Sequence, residues 1–444
     1  MYPIQILAIS IWLFVCASAC FHFKRTVLVW MMARLLINNQ IAVRYNSPGM
    51  SAVIAVDITL ILIYFFKYRA KKRKAGLRCE KFPLTGAFWV TLISFLLSSL
   101  FAIVPLSSGI VATLKYFISN FGIIFVFFKC LDTEDDVKQY VRAGLVVSVL
   151  ITCLGIYELV LKDNPWLDFV YLNSPINETT KGRMWYEPPF VSSLGILQMR
   201  LGMIRAYSTF GIHIQFGTAC VFLLYLFMTI KKYNFGNYKK LYLNAVVLLL
   251  LSGVIACNSK TPIVGIIVLL FVFFGLRQIF QPKVVLPLIF VFVIIMVYFP
   301  SVVMNFMSLF NSDLAEEAGG SSVSMRQTQL KIVLDMFAMN PLVGNGMGSI
   351  LALKGIGDNY LILGAESSIF QILPERGLLG LVAYIVTYLS LFKYGKIFMP
   401  FKLCFFYLAS VLVMEVATGI LDMAIWVSVY LCVIRMFQLK KCQC

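Results

Sequence analysis

Apolar residues fill most of this chain in blocks of about 17 to 23, separated by short polar turns. A helix rises 1.5 Å per residue, so roughly 20 such residues cross about 30 Å of hydrocarbon. The blocks predict spans near 4–22, 49–66, 84–104, 110–129, 143–161, 211–230, 241–257, 263–280, 284–303, 377–392, 403–420 and 422–437. The longest connections are 163–210 and 304–376, and structureless loops of that length are usually functional. Between Phe21 and Pro48 the apolar run Thr26 to Ile41 contains Arg34 and is flanked by Lys24, Arg25 and Arg44. An Arg at mid-bilayer costs about 2.5–3.5 kcal/mol on insertion scales, so the expectation is an interfacial helix rather than a thirteenth span.

Composition strengthens the membrane reading. Of 444 residues, 60% are hydrophobic and 13% charged, and mean hydropathy is +0.88. Soluble domains carry roughly 45–50% and about 25%. A soluble globular enzyme and a disordered chain are excluded. The expected fold is an all-α polytopic transmembrane bundle of about twelve spans, with residues 1–444 as one integral membrane domain. The first apolar stretch, Ile4 to Cys20, lacks a basic leader and an Ala-x-Ala cleavage site, so it is expected to stay in the membrane.

The net charge of +18 would suggest a nucleic-acid partner in a soluble protein. Here most cations cluster between apolar blocks, at Lys67 to Lys81, Lys231 to Lys240, Lys393 to Lys402 and Arg435 to Lys441. Such loops are cytoplasmic by the positive-inside rule, which puts 163–210 and 304–376 on the outer face and leaves no nucleic acid to bind. Most of the 11 Cys lie inside apolar blocks, with no CxxC pair, and two His without HExxH or DxD spacing make no metal site. No cofactor is expected. The acidic run Asp132 to Asp136 reads as a solvated helix cap, and no paired, broken helices of the transporter kind are evident.

Chemistry concentrates in the outward loops. Ser324-Met325-Arg326-Gln327 has capping-box spacing ahead of an amphipathic run with Leu330, Val333, Leu334 and Phe337 on one face. Asn340-Pro341 ends that helix, and Gly344 to Gly348 makes a flexible turn. Arg326 opposes its own helix dipole in the first turn, so it reads either as part of an anion site or as a snorkelling Arg. Arg200 and Arg205 precede the 211–230 span, and Lys260 sits in a tight outward turn, Asn258-Ser259-Lys260-Thr261-Pro262, that does not need a cation. Either Lys260 snorkels or these cations serve a phosphate-bearing ligand. Glu366 and Gln371 fall on a polar helix face; Glu366 is a candidate general base or a structural ion-pair partner. Glu375-Arg376 reads as a turn or helix break. His213 and Gln215 are candidate cavity residues, with a satisfied helix histidine as the competing reading.

Four segments resemble the bacterial O-antigen polymerases of the Wzy type and the related O-antigen ligases. They are Arg205 to Gly211, Ser259-Lys260-Thr261-Pro262 where the family usually has Ser-Arg-Thr, Arg326 to Gly346, and Glu366 to Gly380. The resemblance covers roughly residues 200 to 392 and implies a metal-independent, GT-C-like glycosyltransferase. Its substrates would be undecaprenyl-pyrophosphate-linked oligosaccharide repeat units on the outer face of the bacterial inner membrane. By position, Arg205, Lys260 and Arg326 would bind the pyrophosphate and Glu366 would act as base; Lys260 keeps the charge but loses the guanidinium fork. Where the ligases typically carry a histidine, this chain has Glu366, so a ligase-type His mechanism is unsupported and the resemblance favours a polymerase, assisted by a chain-length regulator protein. An O-antigen ligase and a lipid-linked sugar flippase are the alternatives.

Overall fold

The structure is a computed structural model. It describes residues 2–37, 40–45, 49–69, 80–173, 199–201, 203–236, 238–274, 296–308, 323–353, 367–419 and 421–443, with isolated positions 281, 311 and 314. Glu366, the Gly319 to Ser322 segment, most of the expected 284–303 span and most of the 163–210 loop lie outside these residues.

Each of the other eleven apolar blocks carries a helix. In chain order these are α1 (Pro3–Ala33), α2 (Ala52–Ile63), α3 (Thr85–Leu100), α4 (Leu106–Phe117), α5 (Ile123–Cys130), α6 (Glu134–Leu161) and the short α7 (Pro165–Leu172). Then follow α8 (His213–Tyr233), α9 (Lys240–Ala256), α10 (Lys260–Phe274), α11 (Pro300–Met307), α12 (Val323–Met339), α13 (Ser349–Leu353), α14 (Ser368–Phe398), α15 (Phe401–Thr418) and α16 (Met423–Gln443). Two antiparallel ribbons join them, β1 (Ala42–Arg44) with β2 (Met50–Ser51) and β3 (Met199–Arg200) with β4 (Met203–Ile204). Among the described residues seven helical stretches are long and apolar enough to cross a membrane. The chain is thus an all-α polytopic membrane protein.

The expectation of an interfacial helix after Phe21 is corrected. α1 breaks at His22 (φ −130°, ψ 53°) and folds back, so that the Ser18 and Thr26 hydroxyls lie 2.8 Å apart. Trp12 from the first arm donates to Thr59, and Trp30 from the returning arm donates to Asp57, two residues away on α2. Val27, Leu28, Met31 and Met32 of the returning arm are fully buried. Arg34 is tolerated there because Asp57 meets it at 3.2 Å, and a wide turn at Ile118–Gly122 frees the Ser119 carbonyl to accept from both guanidinium Nη atoms at 3.4 Å.

The bundle has two chemically distinct ends. At one, Lys24 pairs with Asp136 at 2.5 Å, Arg435 meets Asp132 and Glu80, Lys67 donates to the Cys20 carbonyl, and Lys232, Lys440 and Lys441 donate to helix-terminal carbonyls. The acidic run caps α6 through Thr133 and Asp136. Arg34, Glu158, His213, Lys260 and Asp422 occupy helix ends remote from these lysines.

The glycine turn expected to be flexible is instead interlocked with the break in α14. Gly377 interrupts that helix at φ 59°, and the Leu378 and Leu379 N–H groups donate to Pro341 and Leu342 carbonyls. Asn345 returns the contact by donating its N–H to the Pro374 carbonyl and its side-chain amide to Met336 and Pro374. Glu375 accepts from the Gly348 N–H at 2.9 Å, and Arg376 stacks over Phe95 at 4.7 Å. A Cβ at Gly377 would lie 2.6 Å from the Leu342 carbonyl carbon, whereas one at Gly348 (φ 85°) would meet nothing within 4 Å. Gly377→Ala is therefore expected to cost at least about 2 kcal/mol and Gly348→Ala about 1 kcal/mol. Thermal unfolding in detergent checks the difference; equal effects would contradict the interlock.

α12 lies where the capping-box spacing placed a helix, but its buried face differs from the expected one. Ile332, Val333 and Met336 pack toward Ile350, Phe370 and Leu373 and Gln329 is buried, while Leu330 and Leu334 remain 41% and 46% exposed. The helix carries two apolar strips, and docking on α14 buries the one that includes Val333.

Candidate functional site

The loop carrying Arg205 is pinned by one buried carboxylate. Glu158, near the end of α6, accepts through Oε2 from the Tyr207 and Ser208 N–H groups and from the Asn164 amide, each at 2.8 Å. Asn164 also donates to the Ser208 carbonyl at 2.9 Å. Ser208 adopts φ 57°, its hydroxyl donates to Ile151, and the Thr209 hydroxyl donates to Leu35. A non-glycine residue in the left-handed region is sustained only when its surroundings over-determine it, as α6, Asn164 and the Leu35 carbonyl do here. Burial, against the pull of Arg205, holds the Tyr207 phenol above its ordinary range, so it stays a neutral donor.

This loop docks on the turn that carries Lys260. The Ala206 N–H donates to the Ala256 carbonyl at 3.0 Å, which sets Arg205 beside the end of α9. The turn itself is tight, with Asn258 at φ 41°, held by the Asn305 amide at 2.8 Å to its carbonyl and 3.1 Å to its Oδ1. Gly217 of α8 allows the close approach: a Cβ there would lie 2.5 Å from both Cys257 Sγ and Pro262 Cγ. The start of α8 thus packs on the same turn, and His213 sets its ring 5.3 Å from Tyr207 at 74°.

Arg326 arrives from the other side. α10 and α15 run antiparallel, with the Ser410 hydroxyl donating to the Gly265 carbonyl and Met414 against Gly265, so Lys260 at the start of α10 is level with the end of α15. Arg326, in the first turn of α12, donates to the Ala417 carbonyl at that end, at 3.0 Å. The fold therefore brings Arg205, Lys260 and Arg326 from three separate segments to one end of the bundle, each half-buried. Gln215 lines a cavity of about 280 Å³ beside them, and His213 is not among its lining residues. Glu366 lies outside the described residues, and of Arg200 only the backbone is described.

Three buried carboxylates were not singled out by motif. Glu158 holds the Arg205 loop, Asp57 neutralises Arg34, and Glu415 accepts from Tyr384 (2.6 Å), Tyr388 (2.8 Å) and Trp426 (3.2 Å), binding α14, α15 and α16 together two residues before Ala417. Each is a lone acid within an apolar run, which is itself a signal, because an intramembrane charge must have a partner.

Three cations at one end of the bundle on rigid elements would suit a multiply charged anion at a membrane boundary, since they would lose little freedom on binding it. Searches of curated proteins and of solved structures find no match to this chain. Residues 245–385, which run from α9 through the Lys260 turn, α12 and the interlocked break of α14, match the Wzy_C family model, described as O-antigen ligase. Over that segment this membrane protein is similar to the O-antigen ligase family.

Proposed function

We propose that the protein is a polysaccharide polymerase of the O-antigen or exopolysaccharide kind. It transfers the growing glycan from undecaprenyl pyrophosphate to the non-reducing end of a lipid-linked repeat unit. The observation that carries this reading is the gathering of Arg205, Lys260 and Arg326 at the end of the bundle away from the basic loops. The positive-inside rule assigns the lysine-rich end to the cytoplasm, so the cations face the periplasm of a bacterial inner membrane.

In the reaction an acceptor hydroxyl attacks the anomeric carbon of the donor glycan. The new C–O bond forms as the bond to the pyrophosphate breaks, and undecaprenyl pyrophosphate leaves with the electron pair. Fixed cations stabilise the charge that develops on this leaving group, and the hydroxyl proton passes to a carboxylate, for which Glu366 is proposed. We assign the reaction no metal or cofactor, a GT-C-like architecture, and a chain-length regulator as an auxiliary partner. The alternative is a ligase, favoured by the description of the matching family, which would differ in using a lipid A core as acceptor. A flippase is not favoured by that match.

Deleting the gene and complementing it tests the reading through the length distribution of surface polysaccharide. Arrest at one repeat unit, with long chains restored by the wild-type gene, is expected. Long chains accumulating on the lipid carrier would mean a ligase, and loss of all outward-facing units would mean a flippase.

A further inference from the structure

The cavity beside the cation cluster has a different chemistry from the cluster itself. Its volume is about 280 Å³, and its polar lining comes from Arg34, Gln40, Gln215, Thr218 and Asp422, with Phe210 forming part of the apolar wall. Arg34 meets Asp422 at 3.6 Å and Asp57 at 3.2 Å, so its single positive charge is more than offset by the two carboxylates. A pyrophosphate would meet the Asp422 carboxylate there and is disfavoured. A sugar is not, because each of its hydroxyls donates and accepts, and the lining offers a guanidinium, a carboxylate, two amides and a hydroxyl. Phe210 supplies a flat apolar surface for the C–H face of a ring.

Rigidity and position add to this. Arg34 is 7% exposed and is held from behind by Asp57 and the Ser119 carbonyl. Asp422 is fixed by accepting from the Ala424 N–H at 2.9 Å, which caps α16. Phe210 directly follows the latched loop of Arg205, and Asp422 lies on the connection that leaves Ala417, the residue bonded to Arg326. The cavity therefore shares two chain segments with the residues that carry the cations, and its size suits one sugar unit rather than a chain.

We propose that this cavity, centred on Asp422 and Gln215, is the subsite for a neutral sugar ring of the acceptor glycan. The inference rests on the transferase reading above. Asp422 and Gln215 position the acceptor through its hydroxyls, and the cations beside them hold the donor pyrophosphate.

The test uses the full-length protein in detergent and two probes: the repeat-unit oligosaccharide released from its lipid by mild acid, and inorganic pyrophosphate. Asp422→Asn retains a helix-capping side chain while removing the charge, and Gln215→Ala leaves the cap untouched. Each is expected to weaken oligosaccharide binding by about tenfold, the effect of one hydrogen bond to a charged or buried group, with pyrophosphate binding unchanged. Arg326→Ala is expected to do the reverse. No oligosaccharide binding to the wild type, or binding to both cavity variants as tight as to the wild type, would overturn the sugar subsite even if lipid-linked units are still elongated. Cavity-dependent oligosaccharide binding without any turnover of lipid-linked units would uphold the sugar subsite and overturn the transferase reading instead.

Discussion

Arg326→Ala is expected to slow chain elongation by about 100- to 1,000-fold, the usual effect of removing one preorganised donor from developing negative charge. Arg326→Lys should recover part of that loss, because it restores the charge without the bidentate fork. The substitution also removes the bond to the Ala417 carbonyl. That bond ties α12 to α15, and losing a single neutral acceptor contact costs about 1 kcal/mol. A thermal unfolding measurement therefore separates the two roles: activity falls steeply while stability hardly changes. Normal elongation by Arg326→Ala would remove this residue from the anion site.

The largest expected loss of stability follows Asp57→Ala. Asp57 is fully buried, accepts from Trp30 at 2.8 Å and faces Arg34 at 3.2 Å. Removing it leaves the Arg34 charge buried with, among the described residues, the Ser119 carbonyl and a half-exposed Asp422 as its remaining partners. Breaking a buried pair in this way costs about 3–5 kcal/mol. Replacing both partners, as in Arg34→Met with Asp57→Leu, is expected to recover most of the loss, because no uncompensated charge remains. A double-mutant cycle on unfolding in detergent checks this. Additive losses would show that the two residues stabilise the bundle independently.

The same pair explains where the sequence misleads. Arg34 alone argues against a buried helix, and nothing near it in the chain reveals that Asp57, on the next helix, supplies its counter-charge. The long apolar blocks were legible because covering the bilayer demands them whatever the tertiary contacts. The face of α12 was not, since Leu330 and Ile332 head two equally apolar strips and only docking on α14 decides between them. Asn340 to Gly348 reads locally as a loose glycine turn; the Pro341 and Leu342 carbonyls that close it on Leu378 and Leu379 are long-range contacts. At the candidate site, Arg205, Lys260 and Arg326 were conspicuous as cations at outward helix ends, where charge is sparse. Glu158 was not singled out, although it is a lone acid in an apolar run. Its three hydrogen bonds to the Arg205 loop and Asn164 depend on a chain reversal that no local pattern encodes.

The most direct test of the central claim is reconstitution of the full-length protein in proteoliposomes containing a lipid-linked repeat unit as the sole glycan, followed by sizing of the lipid-linked products. The account predicts a ladder of successively longer chains, all still on the carrier, with one undecaprenyl pyrophosphate released for each unit added. Products that never exceed one unit until a lipid A core is supplied would contradict it.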